Sequence, residues 1–211
     1  MDNMDDIMYS FDVYSSQTRA WRKAVEICQC SSHLYKNKGL FVKGIFYCLT
    51  HGDKILMFDV ENELALLITV PLPLTQFNSI PEMCIGECDG QLHYVLISED
   101  GLQLWVLEEQ YTSLWDLKSS ISLDKFEEKN RAFVFNIHEK ITAATNSSQW
   151  IDPLVFKDGT LFMKMITDIF LFDFEAGKLK MLCNLYQLGQ NSMYSPTVLP
   201  YTMSLVPLDY I

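Results

Sequence analysis

An aromatic-led phrase recurs four times along this chain, and no other feature restricts the fold so tightly. SFDVY at 10–14, MFDVE at 57–61, LWVLE at 104–108 and LFDFE at 171–175 place Phe11, Phe58, Trp105 and Phe172 at one shared position, in steps of 47, 47 and 67 residues. Ten residues after each aromatic comes another large apolar residue, namely Trp21, Ile68, Trp115 and Leu182. That offset fits a strand, a turn and a returning strand. Upstream of the last three aromatics, at 14, 15 and 13 residues, stand Gly44, Gly90 and Gly159, each opening an apolar stretch: GIFYCL, GQLHYVL and GTLFMKM. Each unit therefore holds at least three successive strands. Asp89-Gly90, Asp100-Gly101 and Asp158-Gly159 are tight-hairpin dipeptides, because glycine tolerates positive φ. The pattern is an antiparallel meander.

Within the strands, ILMFDV and IFLFDF are apolar at nearly every position, so both faces of each sheet must be covered. Radially packed propeller blades meet that demand, and blades of about 40 to 50 residues match the 47-residue step. A β-sandwich strand would keep one polar face and would not echo at this period. The expected fold is all-β, a partial β-propeller of about three to four antiparallel blades. Its expected parts are a half blade at 1–35, blades near 36–70, 83–118 and 152–185, an inserted loop at 119–150 and a C-terminal tail at 186–211. The insertion contains SSISLDKFEEKNRAF, in which Asp124 to Asn130 fits one short helical turn. A plain solvated connection and a functional loop on the binding face are both open there. Trp21 and Trp115, at equivalent offsets, read as blade-packing residues.

Composition narrows the function. In 211 residues, 49% are hydrophobic and 13% aromatic, which excludes disorder. With 16 basic against 27 acidic residues the net charge is −11, a surface that repels phosphate backbones and anionic lipid, so neither nucleic acid nor membrane is an expected partner. No apolar run reaches the ~18 residues of a membrane helix, and the acidic start MDNMDD is unlike a signal peptide. The compartment implied is cytoplasm or nucleus. The six cysteines are scattered through a chain with a sizeable core, and they read as reduced thiols. Cys28, Cys30 and His33 lie close together, as do Cys84 and Cys88, but no well-spaced second pair of ligands completes a zinc site.

No phosphate loop, zinc-protease, nucleophile-elbow or calcium signature is present, so the chain is read as a non-enzyme with no catalytic, cofactor or metal residue. A propeller hydrolase would need acidic and basic groups converging at the channel mouth, and Arg19, Arg22 and Arg131 are a thin supply. His51 in a turn, His93 in a strand and His138 beside Glu139 read as surface or core histidines. Asn146-Ser147-Ser148 is a sequon, expected to stay unmodified in a chain without a secretion signal.

These phrases, in this order, resemble a known family. The segment from Gly44 through ILMFDVENE to VPLP resembles a kelch-type blade. IGECDGQLHYVL followed by LQLWVLEEQYTSLWDLK is similar to the F-box-associated domain of plants, carried by Gly86, Glu87, Cys88, Trp105 to Glu109, Tyr111 and Trp115. PLVFKDGTLFMKM, KLKMLCNL and the terminal YTMSLVPL match how such domains end. The resemblance implies a substrate-recognition module of an F-box type ubiquitin-ligase receptor, holding a target protein. The Skp-type adaptor and cullin would then be reached only through an F-box that this stretch lacks; Ile80-Pro81-Glu82 imitates its start but leads into strand chemistry. The alternatives are a stand-alone interaction or decoy module and, more remotely, a propeller hydrolase. The blade count falls short of a closed ring, which implies uncovered apolar faces and a tendency to aggregate. DKFEEKN carries no apolar stripe for a helix-in-groove contact with an adaptor. Sequence reading does not identify the target-binding residues.

Overall fold

The computed structural model describes residues 6–142 and 150–188. Strands β1 (Ile7–Ser15) and β2 (Ala20–Cys30) form a two-stranded hairpin. Next come β3 (Leu34–Val42), β4 (Ile45–Thr50), β5 (Lys54–Asp59) and β6 (Leu64–Thr69), a four-stranded antiparallel meander in sequence order. A second meander runs through β7 (Glu82–Cys88), β8 (Gln91–Ser98), β9 (Gly101–Glu109) and β10 (Leu114–Ile121), and a third through β11 (Ile151–Lys157), β12 (Thr160–Met165), β13 (Asp168–Asp173) and β14 (Lys178–Asn184). The last two meanders join where β7 and β11 run parallel, Phe156 opposite Gly86 and Lys157 opposite Glu87. Successive meanders touching through their first strands are blades of a partial β-propeller. Among the described residues no helix is long and apolar enough to cross a membrane.

Both faces of the first two meanders are buried at their middle strands, as the unbroken apolar strands require, whereas β12 of the last meander alternates buried with half-buried residues. Ile55 and Met57 of β5 share a core with Met83 and Ile85 of β7 and Leu92, Tyr94 and Leu96 of β8. The opposite face of β5 turns back, where Phe58 stacks on Phe11 of β1 with ring centroids 4.0 Å apart. In β9, Trp105 and Leu107 look toward the preceding blade, while Leu102 and Leu104 pack against Phe156, Leu161 and Phe172 of the next. Burying each such side chain contributes roughly 1.5–3 kcal/mol, and the gain exists only when the neighbouring sheet is in place.

Phe58, Trp105 and Phe172 thus occupy the same face of their strands, but Trp105 is not at the same depth. Phe58 pairs with Phe46 and Phe172 with Leu161, each the second residue of its strand, whereas Trp105 pairs with Tyr94, the fourth of β8. The register counterpart of the two phenylalanines is Leu107. A constant sequence offset missed this because β8 has 8 residues where β4 and β12 have 6.

Two further expectations are corrected. Trp115 does pack between blades, its Nε1 donating to the Thr69 carbonyl at 2.8 Å and its ring lying against Tyr94. Trp21 does not: it is 71% exposed on the outward side of the first hairpin, against Tyr14. Nor is the segment 119–150 a plain loop. It continues β10 to Ile121 and then forms α1 (Leu123–Lys129) and α2 (Ile137–Thr142). Ser122 caps α1 by accepting from the Lys125 amide. Leu123, Phe126, Val134 and Ile137 are buried in the core shared with the last blade. DKFEEKN itself holds only Phe126 as an apolar residue; the helix starts one residue earlier, and Leu123 one turn before Phe126 gives it a short apolar face that points inward. Residues 143–149, with the sequon, and 189–211, with YTMSLVPL, lie outside the described residues.

The β7–β11 approach sets a sharp steric demand. A Cβ on Gly86 would sit 1.9 Å from the Phe156 carbonyl oxygen, whereas one on Gly44, at φ +86°, would meet nothing within 4 Å. Gly86→Ala is expected to lower stability by about 2 kcal/mol or more through forced separation of the two strands. Gly44→Ala should cost only about 1 kcal/mol, from backbone strain alone. Urea unfolding of both variants measures the difference, and equal losses would contradict the steric account.

Candidate functional site

The two ends of the blades are built differently. At one end lie the β5–β6, β9–β10 and β13–β14 turns, and all three are made alike. Asp59 accepts from the amides of Glu61 and Asn62, Glu109 from those of Tyr111 and Thr112, and Asp173 from those of Glu175 and Ala176. Four residues after each carboxylate a residue takes positive φ: Glu63 at 52°, Ser113 at 55° and Gly177 at 67°. Hydrogen bonds to the charged form hold the Asp59 carboxyl below its ordinary range, chiefly those from Asn62. The carboxylate-plus-four spacing is visible in the sequence as Asp59 and Glu63, Glu109 and Ser113, and Asp173 and Gly177.

The other end varies from blade to blade. It carries the turns 51–53, 99–100 and 166–167 and the connections 70–81 and 122–150. A short 3-10 turn, Leu74–Gln76, stands in the first connection and is tied to Asp53, which accepts from the Leu74 amide at 2.7 Å. The second connection leaves this end after β10 but reaches back to the β13–β14 turn, where it is clamped by Asn130, which is 5% exposed. Its Nδ2 donates to the Phe126 and Gly177 carbonyls at 2.8 and 3.2 Å, and its Oδ1 accepts from the Leu179 amide at 2.7 Å. Glu127 in turn accepts from the amides of Asn136 and Ile137 and so fixes the start of α2. Beside it an open depression of 490 Å³ is lined by Asp124, Glu127, Glu128, Arg131, Asn136, His138 and Glu139.

At the same end the innermost strands bring ionisable groups together. Lys38 of β3 donates to the Met83 carbonyl at 3.0 Å and lies 3.8 Å from Asp152 of β11. Glu82, the first residue of β7, is pushed up to about 7 because burial disfavours its charge; Lys38 opposes that rise and Asp152 adds to it. Tyr35 is raised by burial and stacks on His51 at 3.9 Å. Three inner strands are thus fastened by one ammonium among carboxylates.

The remaining singled-out residues do not join this cluster. His93 packs on Phe156, burial lowers its pKa, and its Nδ1 lies 3.1 Å from the Gln91 carbonyl. His138 pairs with Asp124 at 2.9 Å on the surface of the insertion. Arg22 pairs with Glu63 across to the next blade, Arg131 lines the insertion depression, and Arg19 sits in the β1–β2 turn. Cys28, Cys30, Cys48 and Cys84 are buried free thiols, and burial pushes Cys84 up to about 12, so it is not a nucleophile near neutral pH. Among the described residues no three or more His, Cys, Asp or Glu side chains gather as a metal site.

Four-stranded meanders stacked face to face, with their first strands innermost, define the class: this is a β-propeller domain. Comparison with known proteins then places it. The family described as F-box protein At3g26010-like, beta-propeller, matches residues 1–139, and the chain belongs to that family. F-box protein At5g49610 of Arabidopsis thaliana is 32% identical over 115 residues, 53% of this chain and 32% of its own length. F-box protein At5g03970 of Arabidopsis thaliana is 24% identical over 174 residues, 81% of this chain and 40% of its own length. The chain therefore spans well under half the length of these relatives.

Glu82 gives the site a pH signature. Its carboxyl in the folded state lies at about 7, above the 4.5 of the free side chain. The stabilisation this confers is fully present below the free value and is lost as pH rises through 7, where a charge must be buried. Glu82→Gln, neutral throughout, is expected to match the parent near about pH 4 and to exceed it near about pH 8, by on the order of 2 kcal/mol. Thermal melts at the two pH values measure this, and an equal effect at both would rule out the titration of Glu82 as its cause.

Proposed function

We propose that this chain is the substrate-holding propeller of an F-box type ubiquitin-ligase receptor. It acts without catalysis, in cytoplasm or nucleus, and meets its target protein with the connection 70–81 and the insertion 122–142. Membership of an F-box protein propeller family supports the receptor part of this reading. The contrast in construction carries the rest: the three like-built turns are scaffold, whereas the insertion after β10, buried through Leu123 and Phe126 and tied by Asn130 to Gly177 and Leu179, has been given a fixed surface. The Lys38, Glu82 and Asp152 group supports a fastening role over hydrolysis. Its ammonium is engaged by the Met83 carbonyl, and none of Arg19, Arg22 and Arg131 reaches it.

In this reading the Skp-type adaptor and cullin are not gripped by these residues. The apolar pair of α1, Leu123 and Phe126, is buried against the blades and presents nothing to a partner groove. The purified chain is expected to fail to co-precipitate a purified Skp-type adaptor, while its expression in cells slows degradation of the receptor's target by competition. Adaptor binding in the micromolar range or tighter, abolished by substitutions within this chain, would place the ligase contact here and overturn the assignment.

A further inference from the structure

The first hairpin has two strands where each meander after it has four. Phe11 of β1 stacks on Phe58 of β5, and β2 packs along β6 with Arg22 paired to Glu63, so β1 and β2 match the third and fourth strands of the next meander. The positions that β3 and β4 fill there have no counterpart beside β1 among the described residues. Two consequences meet at one place. The edge of β1 away from β2 pairs with no described strand, over nine residues that contain neither proline nor lysine to guard it. Beside that edge the neighbouring sheet is bare.

The bare stripe is aromatic. Phe41, Phe46 and Phe58 stand opposite one another across β3, β4 and β5. Phe58, under Phe11, is 4% exposed, Phe46 is half-buried and Phe41 is 61% exposed. Cover therefore stops at β1 and falls away over the two strands inside it. An open groove of 410 Å³ lies there, lined by Phe11, Val13, Phe41, Phe46, Phe58 and Val60. A lone two-stranded hairpin is marginal in water, and a third strand with an apolar face makes such a sheet self-sufficient. A strand that hydrogen-bonds to β1 and lies over β4 would satisfy both the edge and the groove.

The chain holds a segment of the required form. Residues 201–206, YTMSLV, lie between Pro200 and Pro207, beyond the described residues. They number six, as do β4 and β12, the strands that take this position in two of the meanders. Proline donates no ladder hydrogen bond, so a proline at each side delimits a strand. Tyr201, Met203 and Leu205 alternate with Thr202, Ser204 and Val206, a period that puts three large apolar residues on one side of a strand. No charge falls within the six, and a charge would be costly to bury against phenylalanines. Residues 189–200 link the segment to the last meander and reach up to about 40 Å when extended, comparable with the width of a domain of this size. We infer that residues 201–206 add to β1 as a third, antiparallel strand and cover Phe46, joining the end of the chain to its first hairpin. This goes beyond the substrate-holding reading and stands independently of it.

Hydrogen–deuterium exchange of the full chain tests it. Amides of β1 that β2 does not engage are expected to be protected. Met203→Pro combined with Ser204→Pro should raise their exchange by about tenfold or more, because adjacent amides point to opposite edges of a strand and one of the two must face β1. Ser192→Pro, in the linking stretch, should leave that exchange unchanged. Phe41→Lys, at a ring already largely exposed, should also raise exchange in β1 while leaving β7 to β10 as they were, which separates loss of docking from loss of fold. A β1 edge that exchanges freely in the unaltered chain overturns the inference. Protection that survives the double proline variant, or that appears only as protein concentration rises, also overturns it, the covering strand then coming from elsewhere or from a second copy.

Discussion

The structure depends on one constraint: the first two four-stranded meanders are apolar on both faces, so each needs another sheet against each side. Ile55 and Met57 face forward and Phe58 faces back within one six-residue strand, and a helix-covered or half-solvated sheet could not satisfy both. Blade-on-blade stacking is the arrangement that does. The turns, the inner-strand contacts and the insertion are all arranged around it.

Stacking two twisted sheets also requires their inner strands to converge, and polar chemistry takes over where apolar burial runs out. Gly86 lets the Phe156 carbonyl approach β7 closely, at a point where any side chain would hold the strands apart. Glu87 meets Lys157 beside that contact, and Lys38 spans β3, β7 and β11 at the other end. An ammonium shared between a carbonyl and a carboxylate satisfies groups that the crowded inner strands cannot pair by sheet hydrogen bonds alone. The raised carboxyl of Glu82 is a by-product of this crowding.

Repetition made the strands readable. A period of 47 residues, unbroken apolar strands and Asp-Gly turns determine blade number and strand direction without any long-range information. What escaped was whatever depends on the neighbour rather than on the local chain. Trp21 and Trp115 share an offset, yet one meets Thr69 and Tyr94 of adjoining strands and the other meets solvent. The insertion looked solvated because charged residues dominate it, and its four core residues are spaced too irregularly to show one periodicity across two short helices and a turn. Asn130 was invisible for the same reason, since its partners Gly177 and Leu179 lie far along the chain. The candidate interaction face was legible only as a longer step in the repeat; its composition emerged from which residues the core left outside.

The first hairpin meets the two-face constraint on one side only. Its inward side packs through Phe11 onto Phe58 and buries Cys28 and Cys30, and its outward side shows Met8, Tyr14, Trp21, Val25 and Ile27, each at least half exposed. On that outward side Gln29 stands opposite Met8, Ser10 opposite Ile27 and Lys23 opposite Asp12, so polar residues alternate with apolar ones along both strands. Such alternation is what lets one face of an antiparallel sheet meet water, and it sets this hairpin apart from β5, which is buried at nearly every position because a sheet lies on each side of it.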